Sequence, residues 1–300
     1  MNLLFSIFAF LGSVIVTFQL YGFSADYLTY ANVFPVYNSF NYLIWIEPSF
    51  IIASIFLSPI PYGFSIYLFL NTYASLFLKF SVAKSININY TPIILFYVLT
   101  IFMLHEYTQI RFSTALALFY YGYFCVTTKT NRFIWYILAL SFHYAIIILL
   151  ILLCFSFVKL TRTRVIISIL IAVVACFAIS DLFANLIETQ ARLQGYQAKQ
   201  GSLYSLLSFG KFLLLAPYVV TLIMGNSLNS RLFKLHHLIV LATISVSYLP
   251  EVLSVRIAGM GYFTSLLLVS QLNISANGIK NILYFFTATF GFVFFLTSLT

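Results

Sequence analysis

The chain has 300 residues, of which 62% are hydrophobic and 7% charged, and its mean hydropathy is +1.03. So little charge cannot cover the surface of a water-soluble globule, and the expected class is an all-α, polytopic integral membrane protein. A span takes roughly 20 apolar residues, so the length predicts about 9–11 transmembrane helices joined by short loops, with no separate soluble catalytic domain.

Apolar runs bounded by charges and turn residues fall at 3–20, 62–80, 91–104, 110–127, 165–187, 205–225, 236–250, 257–272 and 281–299. The first has no Lys or Arg before it, which makes a poor secretory signal and predicts a retained span. Two segments resist the division and are expected to be short re-entrant or interfacial pieces: one near 47–58, closed by Ser58-Pro59-Ile60-Pro61, and one near 133–143, within an apolar stretch that reaches residue 158 and carries His143. Glu47-Pro48 reads as a helix start, because a proline in the first turn gives up an N–H that would have no intrahelical partner. The cysteines at 125, 154 and 176 lie in apolar runs without metal or disulfide spacing, so no metal or cofactor is indicated.

The positive-inside rule orders these runs. With the first span running outward, Lys79, Lys84, Lys129, Arg132, Lys159, Arg162, Arg164, Arg231, Lys234 and Lys280 fall on the cytoplasmic side, where His236 and His237 are also expected as interface residues. Every carboxylate (Asp26, Glu47, Glu106, Asp181, Glu188, Glu251) falls on the outer side, with Arg111, Arg192, Lys199, Lys211 and Arg256. The net charge of +9 is thus mostly an orientation signal, which excludes a nucleic-acid partner as its cause and leaves the lipid bilayer as the first one.

Outer-face arginines run against that rule and call for anionic partners. Arg111 opens one apolar run and Arg256 another, each five residues after a carboxylate, Glu106 and Glu251; a local ion pair or interfacial snorkelling would satisfy either alone. Their repetition on one side favours a shared site, and planar guanidinium donors suit a phosphate or diphosphate. Arg192 lies in the long polar stretch 188–202, whose glutamines and Tyr196 suit sugar hydroxyls as well as they suit a solvated loop. The first outer loop places Asp26 beside Tyr27 and Tyr30, which reads as a carbohydrate site or as an aromatic belt with one solvated carboxylate. His143 either bonds a helix break or contacts a proton or phosphate in a polar cavity.

In chain order, Asp26-Tyr27-Leu28-Thr29-Tyr30, Glu47-Pro48-Ser49-Phe50, the arginine and alanine-rich run from Gln109 through Arg111 to Ala117, Phe142-His143, and Arg256 to Tyr262 resemble the EpsG-like branch of the O-antigen polymerase (Wzy) superfamily. Family members commonly have Glu-Pro-Gly where this chain has Glu-Pro-Ser. The resemblance implies one membrane-embedded polymerase domain over residues 1–300, in the bacterial inner (cytoplasmic) membrane, active in lipopolysaccharide or exopolysaccharide biosynthesis. The implied partner is an undecaprenyl-diphosphate-linked oligosaccharide, with a chain-length regulator left open. The implied reaction transfers the growing glycan from its lipid diphosphate to the next lipid-linked unit at the periplasmic face, without metal. In that reading Arg111, Arg256 and Arg192 bind the diphosphate; Tyr27, Tyr30, Glu106 and Tyr196 line the substrate; and Glu47, Asp26 or His143 is the general base, Glu47 ranked first. The rivals are a lipid-linked oligosaccharide flippase or transporter, which predicts charges through the middle of several spans, and an O-antigen ligase or other membrane transferase, which differs in its acceptor.

Overall fold

The computed structural model describes residues 3–19, 24–43, 46–86, 91–189, 209–224, 228–247 and 251–271. Among them the structure is entirely helical: twelve α-helices, a short 3₁₀ turn at Phe40–Tyr42 and a π-helical turn at Met103–Thr108. Among the described residues one helix, Gly63–Ile86, is long and apolar enough to cross a membrane by length and composition, and Phe5–Thr17, Pro48–Leu57 and Leu214–Ile223 are shorter apolar helices. The described residues divide into two compact units, one up to residue 150 and the other from residue 151 on.

In the first unit the helices are α1 (Leu3–Thr17), α2 (Ala25–Val33), α3 (Pro48–Leu57), α4 (Gly63–Ile86), α5 (Thr91–Phe102), α6 (Ile110–Phe124), α7 (Lys129–Phe142) and α8 (Ile146–Leu153), the last of which runs across the boundary. α4 is central, packed on α1 and α6, and α6 packs in turn on α7. α4 and α6 run parallel: Thr114 Oγ1 donates to the Asn71 carbonyl at 3.3 Å, the Ser75 and Ser113 hydroxyls meet at 3.1 Å, and Cys125 lies 3.3 Å from Ser85. α6 and α7 approach closely at Gly122, where a Cβ would sit 2.8 Å from that of Trp135.

Ser24 caps α2, its side chain accepting from the Tyr27 N–H at 3.1 Å. Asp26, Tyr27 and Tyr30 therefore stand on a helix, where the sequence suggested a loop. The segment expected to be re-entrant or interfacial is the ten-residue α3, about 15 Å long and too short to span. It starts at Glu47 with Pro48 in its first turn, as expected. A tight turn then reverses it into α4: Tyr62 takes a φ of 62°, and at Gly63 any Cβ would fall 1.8 Å from the Leu57 carbonyl oxygen. Phe34 locks α2, α3 and α4 together, with its ring 5.5 Å from Phe50, 5.3 Å from Phe64 and 5.3 Å from Tyr67. The second irregular segment is a helix break: α7 stops at Phe142, His143 is extended at φ −159°, and α8 resumes at Ile146.

The second unit contains α9 (Arg162–Thr189), α10 (Phe209–Met224), α11 (Arg231–Ser245) and α12 (Glu251–Gln271). α10, α11 and α12 meet at Gly261, where a Cβ would lie 2.1 Å from Leu214 Cδ1 and 3.1 Å from Ile239 Cγ2. His236 joins the same three helices, its Nδ1 2.8 Å from Thr264 Oγ1 and its Nε2 3.0 Å from the Leu214 carbonyl. His237 bridges α10 and α9, 2.6 Å from the Tyr218 hydroxyl and 3.1 Å from Ser168 Oγ. Both histidines are buried, where exposed interface residues were expected, and each ring spends its polar atoms on the core.

Candidate functional site

Glu47, Arg111 and His143 come together in the first unit. Glu47 caps α3 with its backbone and leaves its carboxylate uncommitted to the helix. The carboxylate turns instead to Arg111 in the first turn of α6, with Nη1 2.5 Å from Oε2. The other carboxylate oxygen lies 3.9 Å from His143 Nδ1, beyond hydrogen-bond range. The three side chains are 10%, 13% and 17% exposed in the order Glu47, Arg111, His143, so each is mostly covered yet keeps an accessible edge.

Three supports fix the geometry. The Arg111 guanidinium lies over the rings of Tyr30 at 4.4 Å and Phe50 at 4.8 Å, where the electron-rich ring faces attract the cation. His143 is held by the Ala145 N–H, which donates to Nδ1 at 3.1 Å, and packs edge-on to Phe112 with centroids 5.3 Å apart. A neutral ring accepting at Nδ1 carries its proton on Nε2. Tyr144 then ties the helix break to the chain just before Glu47, its hydroxyl reaching the carbonyls of Leu43 at 2.9 Å and Ile46 at 3.2 Å. Arg111 keeps chemical capacity in reserve: its Nε is buried without a hydrogen-bond partner.

The EpsG family model matches residues 2–300. The chain belongs to the EpsG family. That family is membrane-associated and linked to exopolysaccharide biosynthesis by glycosyltransferase-like polymerases. No curated protein and no solved structure matches the chain.

In this EpsG chain the remaining expected site residues are placed differently. Tyr30 joins the site through its ring, whereas Tyr27 packs on Phe64 at 5.4 Å. The side chain of Asp26, with Arg192 and Tyr196, lies outside the described residues. Arg256 is exposed on α12 of the second unit.

Glu106 does not pair with Arg111, the local alternative that its spacing offered. It sits in the π-helical turn after α5 with its side chain fully buried, and its Oε1 accepts from Lys79 Nζ at 2.7 Å, Tyr97 at 2.7 Å and Ser75 at 2.9 Å. Lys79 also reaches Ser113 Oγ at 2.5 Å. Lys79, expected among the basic residues that orient the chain, is instead fully buried, and its flexible stem carries the ammonium into the bundle to meet Glu106. The network joins α4, α5, the π turn and α6, and Ser113 stands two residues after Arg111. Sequence reasoning missed this pairing, and it missed the roles of Phe50 and Tyr144. The available signals were their adjacency to Glu47-Pro48 and His143, and a lysine inside an apolar run with no charged neighbour.

Proposed function

We propose that this EpsG-family chain is a polysaccharide polymerase that works at the periplasmic face of the bacterial inner membrane on oligosaccharide units carried by undecaprenyl diphosphate. The observation that carries this reading is the meeting of a carboxylate, an arginine and a histidine from three separate segments in one partly exposed cluster of a family member.

Arg111 binds the diphosphate. An incoming diphosphate competes with Glu47 for the guanidinium, whose fork geometry suits either anion. Displaced from Arg111, the Glu47 carboxylate is available to the acceptor hydroxyl. In the transfer, the acceptor oxygen bonds to the anomeric carbon of the growing chain as the bond from that carbon to the diphosphate oxygen breaks. The bonding pair leaves with the diphosphate, and the acceptor proton passes to Glu47. Arg111, and the Nε2–H of His143, stabilise the charge gathering on the leaving group. Tyr30 and Phe50 hold the arginine flat and limit water around it. Arg256, Arg192, Asp26, Tyr27 and Tyr196 are proposed as further contacts to the lipid-linked substrate.

The test is a chromosomal Arg111→Ala strain examined for polysaccharide length. The expected result is inserted protein, loss of long chains and accumulation of single-unit product. Normal chain lengths would overturn the diphosphate role. Arg111→Lys is expected to be nearly as damaging, since a point charge lacks the bidentate fork.

A further inference from the structure

The second unit contains a cavity of about 450 Å³ in the crease between α9 and α11. Its walls are apolar, with Ile167, Ile171, Leu238 and Leu241 from the two helices and Phe155 from the segment before them. Ser168 and His237 also border it, but their polar atoms are bonded to each other at 3.1 Å, so the interior asks for a hydrocarbon and not for a hydrogen-bonding ligand. A cavity of this size and lining is in the range that buries a small ligand.

One end of this crease is strongly basic. The N-termini of α9 and α11 lie side by side, joined by Leu160 N–H to Asn229 Oδ1 at 2.9 Å and Asn229 Nδ2 to the Leu160 carbonyl at 3.2 Å. Farther along, Ser245 reaches the Ala172 carbonyl at 3.5 Å, so the two helices run in the same direction. Two positive helix ends therefore coincide, and Arg162, Arg164, Arg231 and Lys234 stand in their first turns, with Lys159 just before and no acidic residue in either turn. Cations at helix N-termini oppose the helix dipole, so this end carries an uncompensated positive field.

Arg164 lines the cavity at that end. It is exposed and uses one Nη for the Lys159 carbonyl at 2.9 Å, which leaves further N–H donors on the guanidinium. Lys234 lines a small adjoining recess that shares Phe155, Val158, Leu160, His237 and Leu238 with the cavity.

We propose that the cavity holds an acyl chain of an anionic phospholipid, with its phosphate resting on Arg164 and Lys234. Hydrocarbon fills the apolar crease, and the phosphate offsets the joined fields of two helix ends and their cations. By the same charges, the lipid belongs to the leaflet that faces the basic end. This site is independent of the cluster at Arg111 and of the reaction proposed there.

The test uses the full chain purified in a neutral detergent, with phosphatidylglycerol and phosphatidylcholine of matched acyl chains as probes and native mass spectrometry as the readout. The wild type should retain phosphatidylglycerol in preference to phosphatidylcholine. Arg164→Gln and Lys234→Gln should each weaken phosphatidylglycerol by about fivefold, the equivalent of ~1 kcal/mol per basic residue near an anionic lipid, and leave phosphatidylcholine unchanged. Phosphatidylglycerol bearing a diazirine on its acyl chain should crosslink to peptides from 164–171 and 237–245. Equal retention of the two lipids, full retention by both charge variants, or crosslinks confined to other segments would each overturn the proposal. Loss of phosphatidylglycerol in the charge variants with no acyl crosslink in the crease would likewise overturn it, since it would indicate headgroup binding alone.

Discussion

Removing one member of the Lys79–Glu106 pair should be far more damaging than removing both. Lys79 has three ammonium donors, and the structure gives them three acceptors: Glu106 at 2.7 Å, Tyr97 at 2.7 Å and Ser113 at 2.5 Å. Both charged side chains are fully buried. Lys79→Met leaves a buried carboxylate with no cation, and Glu106→Met leaves a buried ammonium with no anion; breaking such a pair costs about 3–5 kcal/mol. The double variant removes both charges and fills the space with flexible apolar side chains. It should come within about 1 kcal/mol of wild type, because an apolar replacement of a buried pair is often neutral. The two single losses would sum to roughly 6–10 kcal/mol, so the cycle should show a coupling of at least about 5 kcal/mol. The assay is unfolding of the reconstituted protein by SDS titration, followed by near-ultraviolet circular dichroism. Two single variants that each lose under about 1 kcal/mol and add independently would refute the buried pairing.

Other expectations follow from single contacts. Gly63→Ala places a methyl against the Leu57 carbonyl, 1.8 Å away; since backbone cannot swing aside as a side chain can, the loss should reach the upper part of the 1–3 kcal/mol range for overpacking. It should also lower polymer yield, because this turn sets α3 and Glu47, and thermal unfolding beside a polysaccharide ladder checks both effects. His143→Asn keeps a side-chain acceptor near the Ala145 N–H and removes Nε2. It should melt within a few degrees of wild type and shorten the polysaccharide; wild-type chain lengths would remove His143 from the mechanism.

Much of the first unit was legible from local chemistry. Glu47-Pro48 marks its helix start because proline loses nothing in a first turn, and His143 marks a break because the apolar stretch around it is too long for one short helix and carries a polar ring in its middle. Ser24 before Asp26 is a cap signal that would have put Tyr27 and Tyr30 on a helix. The partner of Arg111 was not legible. Glu106 is five residues away and Glu47 is sixty-four away, and only the fold decides between them: the π-helical turn rotates Glu106 towards Lys79 and leaves Arg111 facing the start of α3. The pairing of Lys79 with Glu106 was hidden for a related reason. A charge count assigns a side from the position along the chain, whereas a long lysine side chain can carry its ammonium more than one helical turn away from its own backbone. The two histidines at 236 and 237 looked interfacial beside Arg231 and Lys234, yet adjacency on a helix separates side chains by about 100°, which places both rings among neighbouring helices.

The most direct measurement of the central claim is polymerisation by the purified chain in proteoliposomes, with a synthetic undecaprenyl-diphosphate-linked repeat unit as the sole substrate and mass spectrometry of the products. Wild-type protein should release undecaprenyl diphosphate and build lipid-linked dimers and longer products. Glu47→Gln should bind the substrate and form none, and Arg111→Ala should both bind weakly and form none. Substrate returned unchanged by folded wild-type protein, or dimers made at the wild-type rate by either variant, would contradict the account.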